Sequence, residues 1–144
     1  MIDTVVVATD GSPSPERAVG VALDLARRFD ATVRALYIVD AGAVAAAPAD
    51  RREQVRARLT DRGEAALAAV AERAHGEVTT AIREGSPAEV VCATAREHDA
   101  SVIALGTRGR HGAHRSVLGS VAEAVVETCP VPVLTVRQLD STEA

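Results

Sequence analysis

Short apolar segments alternate along this chain with longer segments in which apolar residues recur every three or four positions. Segments that stay apolar without alternation are typical of strands buried on both faces of a sheet. Amphipathic helices between such strands are typical of a parallel sheet with crossover connections. The apolar segments cover residues 4–9 (TVVVAT), 32–39 (TVRALYIV), 77–84 (EVTTAIRE), 101–105 (SVIAL) and 131–136 (VPVLTV).

A helix in each connection between these strands predicts a doubly wound α/β fold. The predicted domain is a five-stranded parallel sheet with helices on both faces, a three-layer α/β/α sandwich. Ser14 can cap the first helix with Pro15 at its first position. Ser86 and Glu89 have the spacing of a capping box. The four helices are predicted over about 15–29, 51–75, 87–98 and 120–128.

The remaining segments complete a single domain over residues 1–144. Residues 41–50 (AGAVAAAPAD) are small, and we predict that they form a flexible loop. The polar residues 138–144 predict a loose tail. The arginines of residues 51–62 interleave with acidic residues, which predicts a solvated helix face rather than a nucleic-acid contact.

Both predicted outer strands have features of sheet edges. Segment 77–84 is the least apolar of the five, and Pro130 and Pro132 at the last strand cannot donate hydrogen bonds to a neighbour. The last strand is nevertheless apolar, and an uncovered apolar edge tends to pair with other chains. Because pairing with a second copy across a two-fold axis would cover it, we predict a homodimer through residues 131–136.

Composition narrows the class of partner. The net charge of −4 argues against a general nucleic-acid-binding protein. The first apolar run lacks preceding basic residues and is too short for a signal peptide or a membrane span, so we expect a cytoplasmic protein. Cys92 and Cys129 form no CxxC motif, and we expect two small buried hydrophobic residues in a reducing compartment.

The stretch GTRGRHGAHRSVLGS, residues 106–120, follows the fourth predicted strand. Ligands of doubly wound sheets bind at the carboxyl ends of the strands, where the strand order reverses. The glycines of this stretch allow a positive φ and a close approach of ligand to backbone. No acidic residue interrupts its basic side chains, which add positive charge around the site: Arg108, Arg110, His111, His114 and Arg115.

The end of this stretch opens the last predicted helix. The free N–H groups of a first helical turn form a ready site for an anion. Ser120 and Glu123 also have the spacing of a capping box, so Ser120 is a candidate N-cap as well as a phosphate ligand. The stretch is therefore interpreted as a phosphate-binding loop.

The spacing of Gly106, Gly109, Gly119 and Ser120 resembles the G-x2-G-x9-G-[ST] signature of the universal stress protein family, in its ATP-binding type. Further segments resemble family segments in the same order. They are VVVATDGS, EGSPAEVV, VIALGTRGR, and GSVAEAVV followed by CPVPVLTVR. The resemblance covers nearly the whole chain and implies a nucleotide-dependent module of the stress response.

The resemblance implies a bound ATP, with a divalent metal such as Mg²⁺ or Mn²⁺ held through the phosphates and by no carboxylate cluster of the chain. Asp10 would hold the ribose or the adenine edge, with Ala8 and Thr9 alongside, and the backbone of Ile38 would face the adenine. The ribose and phosphates would be lined by Gly106, Arg108 and Gly109. The phosphates would meet Gly119, Ser120 and Val121.

Two questions stay open at the level of the sequence. Without the resemblance, Asp10 would be interpreted as an Asx turn that leads into the next helix, whereas the resemblance favours the ribose. No catalytic residue is predicted, because His111 and His114 lack an obvious orienting carboxylate, so we expect binding with slow or no turnover. The alternatives are a slow ATPase and a nucleotide-independent adaptor dimer with a merely basic loop, and ADP or AMP could replace ATP.

Overall fold

The computed structural model of the protein describes residues 1–12, 15–74, 76–107 and 119–139. The strands are β1 Thr4–Thr9, β2 Thr32–Asp40, β3 Val78–Gly85, β4 Val102–Gly106 and β5 Val133–Val136. The α-helices are α1 Glu16–Phe29, α2 Ala41–Ala46, α3 Arg52–Arg73, α4 Pro87–Glu97 and α5 Ser120–Thr128, and Ala49–Arg51 form a turn of 3₁₀-helix.

The strands form a single parallel sheet in the order β3-β2-β1-β4-β5. This confirms the predicted doubly wound fold, and the predicted edge strands lie at the two edges. The strand order reverses at β1, where the chain first builds towards β3 and later towards β5. The carboxyl ends of β1 and β4 therefore flank the crevice in which sheets of this kind bind ligands.

Helices cover both faces of the sheet, because β1 is apolar at every position in its middle. Val5, Val6 and Val7 are at most 1% exposed and point alternately to the two faces. One face packs against α1 and α3 through Val5, Val7, Tyr37, Val19, Leu67 and Val70. The other packs against α4 and α5 through Val6, Leu36, Ile103, Val91, Ala95 and Val125.

Helix α3 approaches β2 closely at a buried glycine. A Cβ atom built on Gly63 would lie 2.4 Å from Cδ1 of Tyr37. The ring of Tyr37, only 3% exposed, therefore fills the space that a side chain at residue 63 would need. This contact fixes the height of α3 over the carboxyl end of β2.

The predicted flexible loop over residues 41–50 is wrong for most of its length. Alanine is the strongest helix former, and Ala41–Ala46 form α2. The side chain of Asp40 caps this helix by accepting a hydrogen bond from the N–H of Gly42, at 2.9 Å. Arg52 then donates to the carbonyl oxygens of Ala45 and Ala47, so the end of α2 is fixed to the start of α3.

The other helix ends differ in detail from the prediction. Helix α1 begins at Glu16 with Pro15 as its N-cap, while Ser14 lies outside the described residues. Helix α4 begins as predicted after Ser86, but no side-chain hydrogen bond caps it, so the capping box with Glu89 is wrong. Gln138 accepts from the N–H of Arg17, which attaches the start of the predicted tail to α1.

Cys92 and Cys129 are joined by a disulfide, so the prediction of two free buried thiols is wrong. Cys92 lies in α4 and Cys129 at the C-cap of α5. The two helices lie side by side on one face of the sheet, which brings the Cα atoms to 5.6 Å, within the range of a disulfide. Tertiary packing thus closes a separation of 37 residues that the sequence pattern does not reveal.

Candidate functional site

The carboxyl edge of the sheet brings together most of the predicted site residues. Ala8 and Thr9 end β1 and Asp10 follows directly, while Gly106 ends the neighbouring strand β4. Ile38 lies near the end of β2, on the other side of β1. Thr107, directly after β4, is 6% exposed, and no hydrogen bond reaches its hydroxyl from the described part of the chain.

Asp10 forms the Asx turn that the sequence analysis left as an alternative. Its Oδ1 accepts hydrogen bonds from the N–H of Ser12, at 2.9 Å, and from the hydroxyl of Ser12. Gly11 adopts a φ of +79°, which favours glycine, and so reverses the chain after β1. Within the described segments, no hydrogen bond reaches the second carboxylate oxygen, Oδ2. The turn therefore orients the carboxylate through Oδ1.

The first turn of α5 presents its N–H groups without a side-chain cap. Gly119 is the N-cap, with φ −69° and ψ 166°, and the first helical hydrogen bond runs from Glu123 N to Gly119 O at 2.9 Å. Ser120 is therefore the first helical residue, and both its role as N-cap and its capping box with Glu123 are wrong. The N–H groups of Ser120, Val121 and Ala122 form no hydrogen bond with any residue that the structure describes, and such groups bind anions.

The backbone conformations of the glycines in the predicted signature are ordinary where the structure describes them. Gly106 continues β4 and Gly119 has an extended backbone, so neither uses the positive φ that glycine allows. Their lack of a side chain still permits a close approach to the backbone. Gly109 lies outside the described residues, as do Arg108, Arg110, His111, His114 and Arg115.

Arg62 of α3 also lies at this edge, although the sequence analysis assigned it to a solvated helix face. A Cβ atom on Gly11 would lie 3.0 Å from Nε and 3.2 Å from Cγ of Arg62. The arginine side chain therefore runs across the turn that holds Asp10. The sequence offers one partial signal for this contact, because the glycine after Asp10 leaves room for a side chain from another element.

Ion pairs surround the edge at β3. Arg56 of α3 donates from Nε to Oε1 of Glu84, at 2.7 Å, and this hydrogen bond lowers the pKa of Glu84 below its usual value. Arg83, the preceding residue of β3, pairs with Glu97 of α4, at 2.8 Å, and lowers the pKa of that carboxyl in the same way. All four charges are therefore matched within the protein.

Over residues 1–12, 15–74, 76–107 and 119–139, no group of three histidine, cysteine, aspartate or glutamate side chains is placed to hold a metal ion. None of the helices described in those ranges has the length and apolar character needed to cross a membrane.

Comparisons with known proteins relate this chain to one family. The sequence profile of the universal stress protein family matches residues 1–137. The chain is 36% identical over 138 residues to universal stress protein MJ0531 of Methanocaldococcus jannaschii, a match that covers 93% of this chain and 81% of that protein.

Solved structures show the same fold. The structure of protein MJ0577 superposes with a TM-score of 0.87 at 22% identity, over 98% of this chain and 99% of that one. A universal stress protein crystallised in complex with cAMP superposes with a TM-score of 0.65 at 25% identity, over 96% of this chain and 98% of that one.

Proposed function

Since the chain belongs to the universal stress protein family, we propose that it is a regulatory module of the stress response that binds ATP at the carboxyl edge of its sheet. The observation that carries the proposal is the uncapped first turn of α5, with three N–H groups free among the described residues. This turn ends the glycine signature, and the related protein in complex with cAMP supports an adenine nucleotide as the ligand.

The site residues divide between two halves of the crevice. In this proposal the phosphates bind the N–H groups of Ser120 and Val121 at Gly119, beside Gly106. Asp10 offers its free carboxylate oxygen to the ribose hydroxyls, next to Ala8 and Thr9, and Ile38 lies beside the adenine. Arg108 and Gly109 lie outside the described residues, and the family resemblance would place them along the ribose and phosphates.

A divalent metal, Mg²⁺ or Mn²⁺, would be held through the phosphates of the bound nucleotide. Its positive charge would offset phosphate charge, and the protein would contribute no cluster of ligands of its own. We assign no catalytic residue, and we expect phosphate release far slower than about one per second, the lower range of ordinary enzymes.

The role of the backbone N–H groups in phosphate binding can be tested at Ser120, because proline fits the first position of a helix and lacks the N–H. The extended backbone of Gly119 suits a residue before proline. We expect Ser120→Pro to weaken ATP binding about tenfold or more relative to Ser120→Ala, since a hydrogen bond to a charged group is lost. Equilibrium titration of both variants with ATP measures the difference, and equal affinities would contradict the proposal.

Asp10 tests the ribose half of the proposal. Asp10→Asn keeps an oxygen for the turn with Ser12 but removes the charge, whereas Asp10→Ala removes both. We expect weaker ATP binding in both variants and the larger loss in Asp10→Ala, by about tenfold. Wild-type affinity in Asp10→Ala and in Gly119→Val together would show that the site is assigned wrongly.

A homodimer through β5 is the second part of the proposal. Strand β5 lies at the sheet edge, and Leu134 is 36% exposed there. Helix α5, which contacts β5, also exposes Val121 and Val126. We expect a dimer by light scattering at micromolar concentration and a monomer for Leu134→Arg, and a monomeric wild type would contradict this part.

A further inference from the structure

Arg62 packs closely against the turn after β1, because Gly11 has no side chain there. Its Cγ and Nε lie 3.2 and 3.0 Å from where a Cβ on Gly11 would be. The same glycine has a φ of +79°, so both its backbone and its contact disfavour a larger residue. The stem of Arg62, although exposed, therefore lies against Gly11, the residue that follows Asp10.

Three other arginines of α3 use their donors within the protein, whereas Arg58, like Arg62, makes no such contact with the described residues. Arg52 donates to carbonyl oxygens of α2, Arg56 pairs with Glu84, and Arg73 donates to the carbonyl oxygen of Glu16. Arg62 has no hydrogen bond or ion pair with any residue that the structure describes. Its planar guanidinium, with five N–H donors, thus lies at the ligand edge with its bonding capacity unused.

The position of α3 decides which part of a nucleotide Arg62 can reach. Helix α3 packs on β2 and β3, on the face of the sheet that it shares with α1. Helix α5, whose N–H groups are assigned to the phosphates, lies on the opposite face and beyond β4. Because β2 and β4 flank β1 on opposite sides, Arg62 lies on the side away from the phosphates.

We propose that Arg62 binds the nucleoside half of the ligand by stacking its guanidinium on the base. A guanidinium is planar and weakly hydrated, and it stacks on aromatic rings as a lysine ammonium does not. The inference rests on the proposed function and extends it, since it adds a side chain from α3 to a site otherwise built by the strand ends and α5.

The test compares adenosine, AMP and ATP in titrations with the wild type, Arg62→Met and Arg62→Lys. We expect Arg62→Met to weaken all three ligands by the same factor, about tenfold, the size of one lost stacking contact. Arg62→Lys should restore little of this loss. Arg96→Met is the matched control, because Arg96 is also exposed and lies in the last turn of α4, at the opposite edge of the sheet. It should bind all three ligands like the wild type.

The outcomes separate this inference from the proposed function. If the wild type binds ATP and Arg62→Met binds all three ligands within about twofold of it, only the inference falls. A loss that grows from adenosine to ATP would place Arg62 on the phosphates and would also overturn it. If the wild type binds none of the three ligands, the proposed function and this inference both fall. Thermal unfolding of each variant shows whether the fold is kept.

Discussion

The two faces of the sheet hold their helices in different ways. On one face, α3 contacts its neighbours at three glycines. Gly63 of α3 lies against Tyr37 of β2, while Gly20 and Gly11 lie against Arg73 and Arg62 of α3, respectively. On the other face, a disulfide joins α4 to the end of α5. One half of the candidate site therefore depends on glycines, whose lack of a side chain lets α3 pack closely. The other half depends on a covalent bond.

The crevice is therefore positioned from both sides, by close packing on one face of the sheet and by a covalent bond on the other. The place of Arg62 is set by how closely α3 approaches β1 and β2, whereas the N–H groups of Ser120 and Val121 belong to a helix that is bonded to its neighbour. Substitutions on each face should show separately how much the close packing and the disulfide contribute to the stability of the fold.

Breaking the disulfide is expected to have the largest effect. A covalent link across a separation of 37 residues stabilises a fold by about 4 kcal/mol, chiefly by restricting the unfolded chain. The double variant Cys92→Ala, Cys129→Ala should lose roughly this much free energy of unfolding in urea. Wild type with a reductant should approach the variant, and the variant itself should not respond to the reductant. A wild type indifferent to reduction would show that the link does not support this face.

Gly63→Ala is expected to have the next largest effect, on the other face. Its Cβ would lie 2.4 Å from the buried ring of Tyr37, which has little room to move. Overpacking of this kind costs about 3 kcal/mol, and the gain in helix propensity offsets about 1 kcal/mol, so we expect a net loss of about 2 kcal/mol of unfolding free energy. Gly76→Ala is the matched control, since no atom lies within 4 Å of its added Cβ. Equal stabilities of the two variants in urea would contradict the close approach of α3.

Gly20→Ala should have a much smaller effect, although its contact is also short. The added Cβ would lie 2.9 Å from a terminal nitrogen of Arg73, the mobile end of a long side chain. The gain in helix propensity, about 1 kcal/mol, offsets the loss of the Arg73 hydrogen bond to Glu16, so we expect stability within about 0.5 kcal/mol of wild type. A loss as large as that of Gly63→Ala would show that the end of Arg73 is fixed.

The ion pairs of β3 should give the smallest effect and a distinct dependence on pH. Glu84 ties β3 to α3 on one face, and Glu97 ties it to α4 on the other. Hydrogen bonds from Arg56 and Arg83 hold the pKa of each carboxyl below its usual value of 4.5. The folded state therefore gains stability above that pH and loses it as the pH falls through the lowered values.

Glu84→Gln and Glu97→Gln provide the measurement for each face. Each should be slightly less stable than the wild type at neutral pH, because both pairs are solvent-exposed and weak. The difference should vanish in acid, when the wild-type carboxyls are protonated. A difference that persists or grows in acid would contradict the role of the charge.

The sequence predicts the sheet well because the burial of a strand follows from the apolar and polar residues of that strand alone. The continuous apolar run at residues 4–9 identifies the central strand, and Pro130 and Pro132 identify one edge. The short helix α2 was predictable in principle, since its alanines favour helix and Asp40 can cap it. The small side chains of this segment predict a loop instead, because they offer no distinct apolar face.

The features that the sequence analysis missed depend on tertiary packing. The disulfide forms because α4 and α5 pack side by side, and the place of Arg62 depends on Gly11 in another part of the chain. The candidate N-cap at Ser120 was displaced by one residue, because both Gly119 and Ser120 are compatible with that position. A residue's local context does not determine which element it will meet.

The disulfide also gives the chain a closed covalent topology. Residues 92–129 form a ring that contains β4, the whole stretch 106–120 and α5. Cleavage of one peptide bond inside this ring leaves a single molecule, heavier by one water, that separates into two fragments only on reduction. The segment that joins β4 to α5 can therefore be severed while both halves of the proposed phosphate site stay bonded to the same protein.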